Sequence, residues 1–443
     1  MQKLPDNFDA QAIDAWLSSQ VKQPNRVGLS VAIIKDGEVV LARGYGKRSL
    51  EDGRPVEKDT IFAVGSVTKQ FTCACVLLLA EDGKLSVHDP VAKYFPELTR
   101  AQDISLLDLM NHVSGYTDYY PLDFVDRRMQ QPILPDELLR QYAGGKLDFD
   151  PGAGWSYSNT GYVLLGRVVE KVSGEGLGEF LKRRIFRPLQ MDHSVYQPDL
   201  TDQRLAHGYT TFALSPPELA RPEASGWLGG AGGMYSTPTD LARWELALMN
   251  GKLLKPESFE LMTSCRKLAD GRLSDYGCGL RVRTRDGRVV LSHDGAVSGF
   301  NASTSMIPST RSAVIMMCNI EAGLGSLPEK VLGLLLKQPL PSVNGLPDVE
   351  AVKAVFARLQ SGKIDRREFS EEFNHYLTDK KVSGAAARLR PLGKPAKAEV
   401  IRTYERGGME VSVTRLSLKT QTLSVLMYRK PSGIIEQFFV YRD

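Results

Sequence analysis

The stretch Thr60–Glu81, TIFAVGSVTKQFTCACVLLLAE, decides how this chain is read. Thr60 to Val64 is β-favouring, and from Val67 the pattern becomes helical and apolar as far as Glu81. At the junction stands Ser66-Val67-Thr68-Lys69. A spacing of three on a helix brings Ser66 and Lys69 to one face, about one turn apart. A serine hydroxyl is a poor nucleophile until a base takes its proton. A lysine amine can be that base once burial against neighbours such as Phe71 and Leu77 disfavours its charged form. The helix N-terminus adds partial positive charge where an oxyanion would develop. The same Ser-x-x-Lys pattern occurs at Ser19/Lys22 and Ser264/Lys267, but only the middle copy has a turn running into an apolar helix.

Two further stretches supply partners. Tyr157-Ser158-Asn159 follows the loop Asp150–Trp155 and precedes a helical pattern at Gly161 to Val172. A tyrosine beside a buried ammonium holds a phenolate more readily and can then act as general acid or base. Ser292-His293-Asp294-Gly295-Ala296 ends a predicted strand, Val289 to His293. A glycine at a strand edge lets a substrate approach the backbone, and the next amide can complete an oxyanion hole with the amide of Ser66. His293 either orients substrate or is a satisfied strand-end histidine. Other chemistries lack their signatures: there is no HExxH, Walker A loop, GxGxxG after a strand, or GxSxG. Gly28-Leu29-Ser30-Val31-Ala32 comes closest to the last, but it reads as strand interior, where a nucleophile elbow needs a strand-to-helix turn.

The 443 residues, 42% hydrophobic and 24% charged, describe a folded globular chain. The longest apolar run, Cys73 to Ala80, is far below the roughly 18 residues of a membrane span. Five cysteines with no CxxC pair predict neither a disulfide framework nor a zinc site. A net charge of +4 gives no footprint for nucleic acid or a membrane surface. The opening MQKLPDNFDAQ lacks an apolar signal core, which fits a cytoplasmic protein or a periplasmic or secreted one whose signal was removed.

An amphipathic segment, Phe8 to Val21, precedes a hairpin of Val27 to Ile34 and Val39 to Arg43 turning at Asp36-Gly37. Helical patterns fill the middle at Leu106–Asn111, Asp136–Tyr142, Leu177–Ile185 and Leu241–Met249. Strands return at Gly279–Thr284, Val289–His293, Ala302–Ile307 and Ala313–Asn319, and a helix follows at Leu327–Leu336. This order predicts an α+β domain over residues 1–340: one sheet built from both ends of the domain, a separate helical lobe, and a cleft at their junction. The proline-rich Lys337–Glu350 reads as a linker. Residues 350–443 form a small α+β module with helices at Val352–Leu359 and Arg367–Leu377 and four strands from Ala398 to Tyr441. From Glu350 on, 18 basic and 11 acidic residues leave +7, which reads as a solvated surface or, less simply, an anion-attracting face.

With the three elements in this order, the chain resembles the serine β-lactamase and penicillin-binding-protein-like superfamily, in its class C and family VIII esterase branch. The likeness covers roughly residues 10–340. ISLLDLMNHVSGY (Ile104–Tyr116) is similar to that branch's LLxHxSG segment, and GGAGGMYSTPTDLARW (Gly229–Trp244) to its glycine-rich stretch. The resemblance implies an antiparallel sheet flanked by helices. It implies Ser66 as the acylated nucleophile, Lys69 as its partner, Tyr157 as general base and acid, and Asn159 as a hydrogen-bonding residue facing Lys69 and the substrate. The amides of Ser66 and Ala296 would bind the oxyanion beside Gly295, His293 stands where many relatives carry lysine, and His112 and Gly232 are supports. No cofactor or metal is implied. Where relatives often have Lys-Thr-Gly, this chain has His293-Asp294-Gly295, and Asp294 would repel an anionic substrate if it faced the cleft. The expectation is therefore a serine hydrolase with an esterase-like preference for a small ester or amide. A D-stereospecific peptidase, a D-Ala carboxypeptidase or a weak β-lactamase is the alternative, and a non-catalytic binder or sensor is another. Self-association, or a partner recruited by the tail, is left open.

Overall fold

The computed structural model describes residues 2–23, 26–337 and 340–442. Contacts divide the chain into two compact units, Met1–Leu336 and Lys337–Asp443. The predicted linker includes residues 338 and 339, which lie outside the described residues.

In the first unit, the Asp36-Gly37 turn places both residues at positive φ (55° and 87°), which the right-handed twist of a tight hairpin favours. It joins β1 (Gly28–Lys35) to β2 (Glu38–Gly46). Four strands from the other end of the unit complete the sheet: β3 (Arg281–Arg285), β4 (Arg288–Val297), β5 (Phe300–Ile307) and β6 (Ser312–Cys318). The order is β2-β1-β6-β5-β4-β3, antiparallel throughout, with Leu29 opposite Cys318 and Ile34 opposite Ala313. Strand β1 is apolar at nearly every position because both of its faces are covered. Val31 and Ile33 join Val314 and Met316 in one core with α1 (Ala10–Gln20). Ala32 and Ile34 join Ile315 and Met317 in the other, with α2 (Thr68–Glu81).

Helix α2 is buried at every position from Thr68 to Leu79, which explains its uniform rather than amphipathic hydrophobicity. It packs against α3 (Asn159–Ser173), while α4 (Pro238–Met249) lies directly on β1 and β6 and α5 (Leu327–Leu336) covers the opposite face. Local differences from the sequence reading have physical causes. Strand β4 does not stop at His293; pairing of Gly295 with Ala302 and of Val297 with Phe300 carries it on to Val297. Helix α3 starts at Asn159 because the Ser158 hydroxyl accepts from the Gly161 amide (3.3 Å). The pattern at Leu177–Ile185 splits into an α-helical Leu177–Leu181 and a wider turn, Lys182–Phe186. Among the described residues, no helix is long and apolar enough to cross a membrane.

The second unit contains α6 (Asp348–Ser361), α7 (Glu371–Tyr376), α8 (Asp379–Leu389) and a meander of β7 (Lys397–Arg406), β8 (Met409–Ser417), β9 (Thr422–Arg429) and β10 (Ile435–Arg442). Helix α8 left little periodic signal, since DKKVSGAAARL buries only Val382 and Ala386. The buried Arg429 guanidinium ties the start of α6 to the sheet by pairing with Asp348 (2.5 Å) and Glu410 (2.6 Å).

Candidate active site

The first turn of α2 sets the site. Ser66 lies in a tight turn, Gly65–Val67, that leads into the helix, and Lys69 follows one turn on, fully buried. Lys69 Nζ donates to Ser66 Oγ (3.0 Å), Asn159 Oδ1 (2.7 Å) and the Ala231 carbonyl (2.8 Å). Its nitrogen lies 4.7 Å from the centre of the Tyr157 ring and 5.4 Å from that of Tyr162. Burial pulls the ammonium down to about 7, against the opposing pull of Asp118. That carboxylate acts through Asn159: it accepts from the Asn159 backbone N–H (3.0 Å) and from its Nδ2 (3.3 Å), which aims the amide oxygen at Lys69.

This arrangement has a chemical consequence. Asn159 Oδ1 and the Ala231 carbonyl can only accept, so each fixes one N–H of the amine. When Lys69 is neutral its lone pair is left for the Ser66 hydroxyl. Tyr157 behaves otherwise than the sequence led one to expect. Desolvation pushes its phenol above the ordinary range, the hydrogen bond with Ser66 offsets only part of this, and the protonated phenol is the stable form. Its ring packs on His112, 4.4 Å between centroids.

Gly295 is required by close approach. A Cβ there would stand 2.0 Å from the Val64 carbonyl oxygen and 3.1 Å from the Ser66 nitrogen. A Cβ on Gly65 would likewise fall 2.8 Å from the Ala296 nitrogen. The backbones carrying the Ser66 and Ala296 amides therefore run against each other, and both residues line one cleft. His293 is buried beneath it: Nδ1 donates to the Asp294 carbonyl (2.6 Å) and Nε2 accepts from the Tyr276 hydroxyl (2.7 Å). Burial drives its imidazole down to about 3, so it is neutral with both nitrogens occupied. Asp294 alternates to the other side of β4 from His293 and Gly295, the side that Ala296 shares, and is exposed. His112, at a positive φ of 61°, accepts the Ser158 N–H at Nδ1 (3.1 Å) and so anchors the Tyr157–Asn159 segment. Gly232 lines the cleft next to Ala231.

The cleft encloses about 380 Å³. Tyr119, Tyr120, Leu122 and Phe124 form an apolar wall, and Val297, Ser298 and Asn301 lie among the residues that complete the lining. Its charged lining residues are Asp123 and Glu321; no lysine or arginine contributes among the described residues. Glu321 accepts from the Gly299 N–H (3.2 Å) and the Ser298 hydroxyl (3.3 Å). Behind it, Glu223 accepts from the Ser298 N–H (3.0 Å) and the Tyr120 hydroxyl (2.9 Å), and burial raises its carboxyl. Among the described residues, no group of three His, Cys, Asp or Glu is placed to hold a metal ion.

The structure thus gathers Ser66, Lys69, Tyr157, Asn159, Gly295 and Ala296, and sets His293 behind them. Sequence reasoning did not single out Asp118, Ala231, Tyr276, Glu223 or Glu321. For Ala231 a signal existed: the run Gly229–Gly233 lets the backbone reach α2, where Thr72 Oγ1 also donates to the Gly230 carbonyl (2.7 Å).

The family model described as Beta-lactamase matches residues 13–334. Penicillin-binding protein 4* of Bacillus subtilis (strain 168) is 30% identical over 309 residues, which are 66% of this chain and 68% of that protein. A D-aminopeptidase of Gluconobacter oxydans (strain 621H) is 25% identical over 368 residues, 82% of this chain and 69% of its own length. Among solved structures, a D-stereospecific amidohydrolase from Streptomyces sp. superposes with a TM-score of 0.62 at 25% identity, over 73% of this chain and 98% of the other.

Proposed function

The chain belongs to the beta-lactamase family and is a serine hydrolase; on that premise we propose that it cleaves amides or short peptides whose acyl residue is D-configured and carries a free α-ammonium. Neutral Lys69 takes the Ser66 proton as Oγ bonds to the substrate carbonyl carbon, and the amides of Ser66 and Ala296 donate to the oxyanion. The Tyr157 phenol gives its proton to the leaving nitrogen as the C–N bond breaks, and Lys69 restores it. Water then attacks the acyl-enzyme, its proton passes to the same pair, and Ser66 Oγ is reprotonated as the acid departs.

The observation that carries the substrate class is the charge of the cleft lining: two carboxylates, with no lysine or arginine among its described lining residues. At ~4 Å and a protein-surface dielectric one opposite charge contributes ~4 kcal/mol, solvent in an open cleft leaves at most about 1 kcal/mol of it, and two carboxylates together then give on the order of tenfold in rate. The sign favours an ammonium and disfavours the carboxylate of a β-lactam or of a peptide C-terminus. The names of the D-aminopeptidase and the D-stereospecific amidohydrolase support the D-configuration. A negative cleft attracts a free amine and does not repel a neutral ester, so an ester belongs in the test. A panel of D-alanine p-nitroanilide, its N-acetyl form, its L-enantiomer, nitrocefin and p-nitrophenyl acetate tests the reading. The free D-amine should exceed the N-acetyl form in kcat/KM by about tenfold or more. Equal turnover of the acetylated substrate, or faster turnover of nitrocefin, would contradict it.

A further inference from the structure

The second unit holds a cavity that hydrolysis at Ser66 does not use. Lys381, Ala385 and Arg388 recur at intervals of four and three along α8, so they share one helical face. That face borders a cavity of about 510 Å³ against β10, the edge strand of the meander. Apolar side chains, Leu377, Leu389, Leu423, Phe438 and Val440 among them, share its wall about equally with polar surface. The charged groups of its lining are Lys381, Arg388 and Arg442, all exposed, with no carboxylate among the described lining residues.

Part of the positive charge of the unit is taken up by ion pairs, and these three cations belong to the part that is not. Elsewhere in the unit Arg358, Arg366, Arg367, Lys397, Arg429 and Lys430 each meet a carboxylate. Among the described residues, Lys381, Arg388 and Arg442 have no such ion pair; the Lys381 ammonium instead stands 3.4 Å from the centre of the Tyr376 ring. A cavity of small-molecule size whose wall is about half apolar and whose charges are of a single sign has the make-up of a site for an amphiphile. The excess of 18 basic over 11 acidic residues from Glu350 onward sets the field in the same direction.

The geometry points to a binding site for a small amphiphilic anion: a free molecule with one carboxylate on an apolar chain or ring. The apolar part fills the space between α8 and β10, and the carboxylate meets Lys381, Arg388 and Arg442. Charge complementarity decides the class, since a cation of the same shape would bury the same apolar area yet face three like charges.

The test is titration calorimetry of the full-length protein with decanoate below its micelle concentration, with decyltrimethylammonium as the charge-reversed control. Decanoate should bind saturably, one per chain, and about tenfold or more tighter than the cation. Ala385→Trp, which fills the cavity, should abolish binding. Lys381→Glu with Arg388→Glu, on exposed side chains, should weaken it about tenfold. Hydrolysis at Ser66 should be unchanged in both variants. No saturable binding, equal binding of the two amphiphiles, or wild-type affinity in both variants would overturn the inference. Association only with anionic vesicles, or self-association abolished by Ala385→Trp without monomeric decanoate binding, would overturn it as well.

Discussion

Lys69 Nζ sits 3.0 Å from Ser66 Oγ with its other two hydrogen bonds spent on carbonyl oxygens. Because burial holds this amine at about 7, it is neutral above that pH and charged below it. The acidic limb of kcat/KM is therefore expected near pH 7, without a histidine contribution, since His293 titrates at about 3. Lys69→Ala should lower kcat by on the order of a thousandfold and remove that limb. A pH–rate profile of wild type and variant checks both.

Asp118 reaches Lys69 through Asn159, and its charge opposes the effect of burial. In Asp118→Asn that opposition is gone, so the amine loses its proton more easily and the acidic limb should move to lower pH. A role in folding alone would lower the amplitude without moving the limb, so the profile separates the two.

The backbone crossing at Gly295 tolerates no side chain. Gly295→Ala would place a Cβ 2.0 Å from the Val64 oxygen, a clash with main chain that no rotamer relieves. The variant should lose the Ser66–Ala296 juxtaposition and with it activity, with a lower melting temperature by calorimetry. Gly174→Ala, at a positive φ of 77° but with open space around the Cβ, should cost stability and spare kcat.

Glu245 on α4 is a buried carboxyl with no hydrogen-bond partner for Oε2, and burial raises it to about 8. Between its ordinary value of 4.5 and about 8 the folded chain keeps a proton that the unfolded chain has released. Its contribution is therefore full at low pH and declines as pH rises through that window. Glu245→Gln removes the decline, so the variant should gain on wild type in urea melts between about pH 5 and pH 8. Parallel stability profiles would contradict the assignment.

Much of this was legible in the chain. Hairpin, central helices and returning strands carried strong period or turn signals, and Ser66, Lys69 and Tyr157 stood in local contexts that mark a junction. What lay hidden depended on tertiary approach. Asp118 acts through another residue's amide. Tyr276 matters because it caps His293 from 17 positions away. The Tyr157 phenolate was expected from a neighbouring cation, whereas desolvation dominates. The side of β4 on which Asp294 falls follows only from the extension of the strand to Val297.

Labelling with a fluorophosphonate probe, followed by peptide mass mapping, tests the central claim most directly. One adduct per chain on Ser66, forming faster as pH rises through about 7 and absent in Ser66→Ala, is the predicted result. A folded protein that takes no label, or takes it on another serine, would contradict the account.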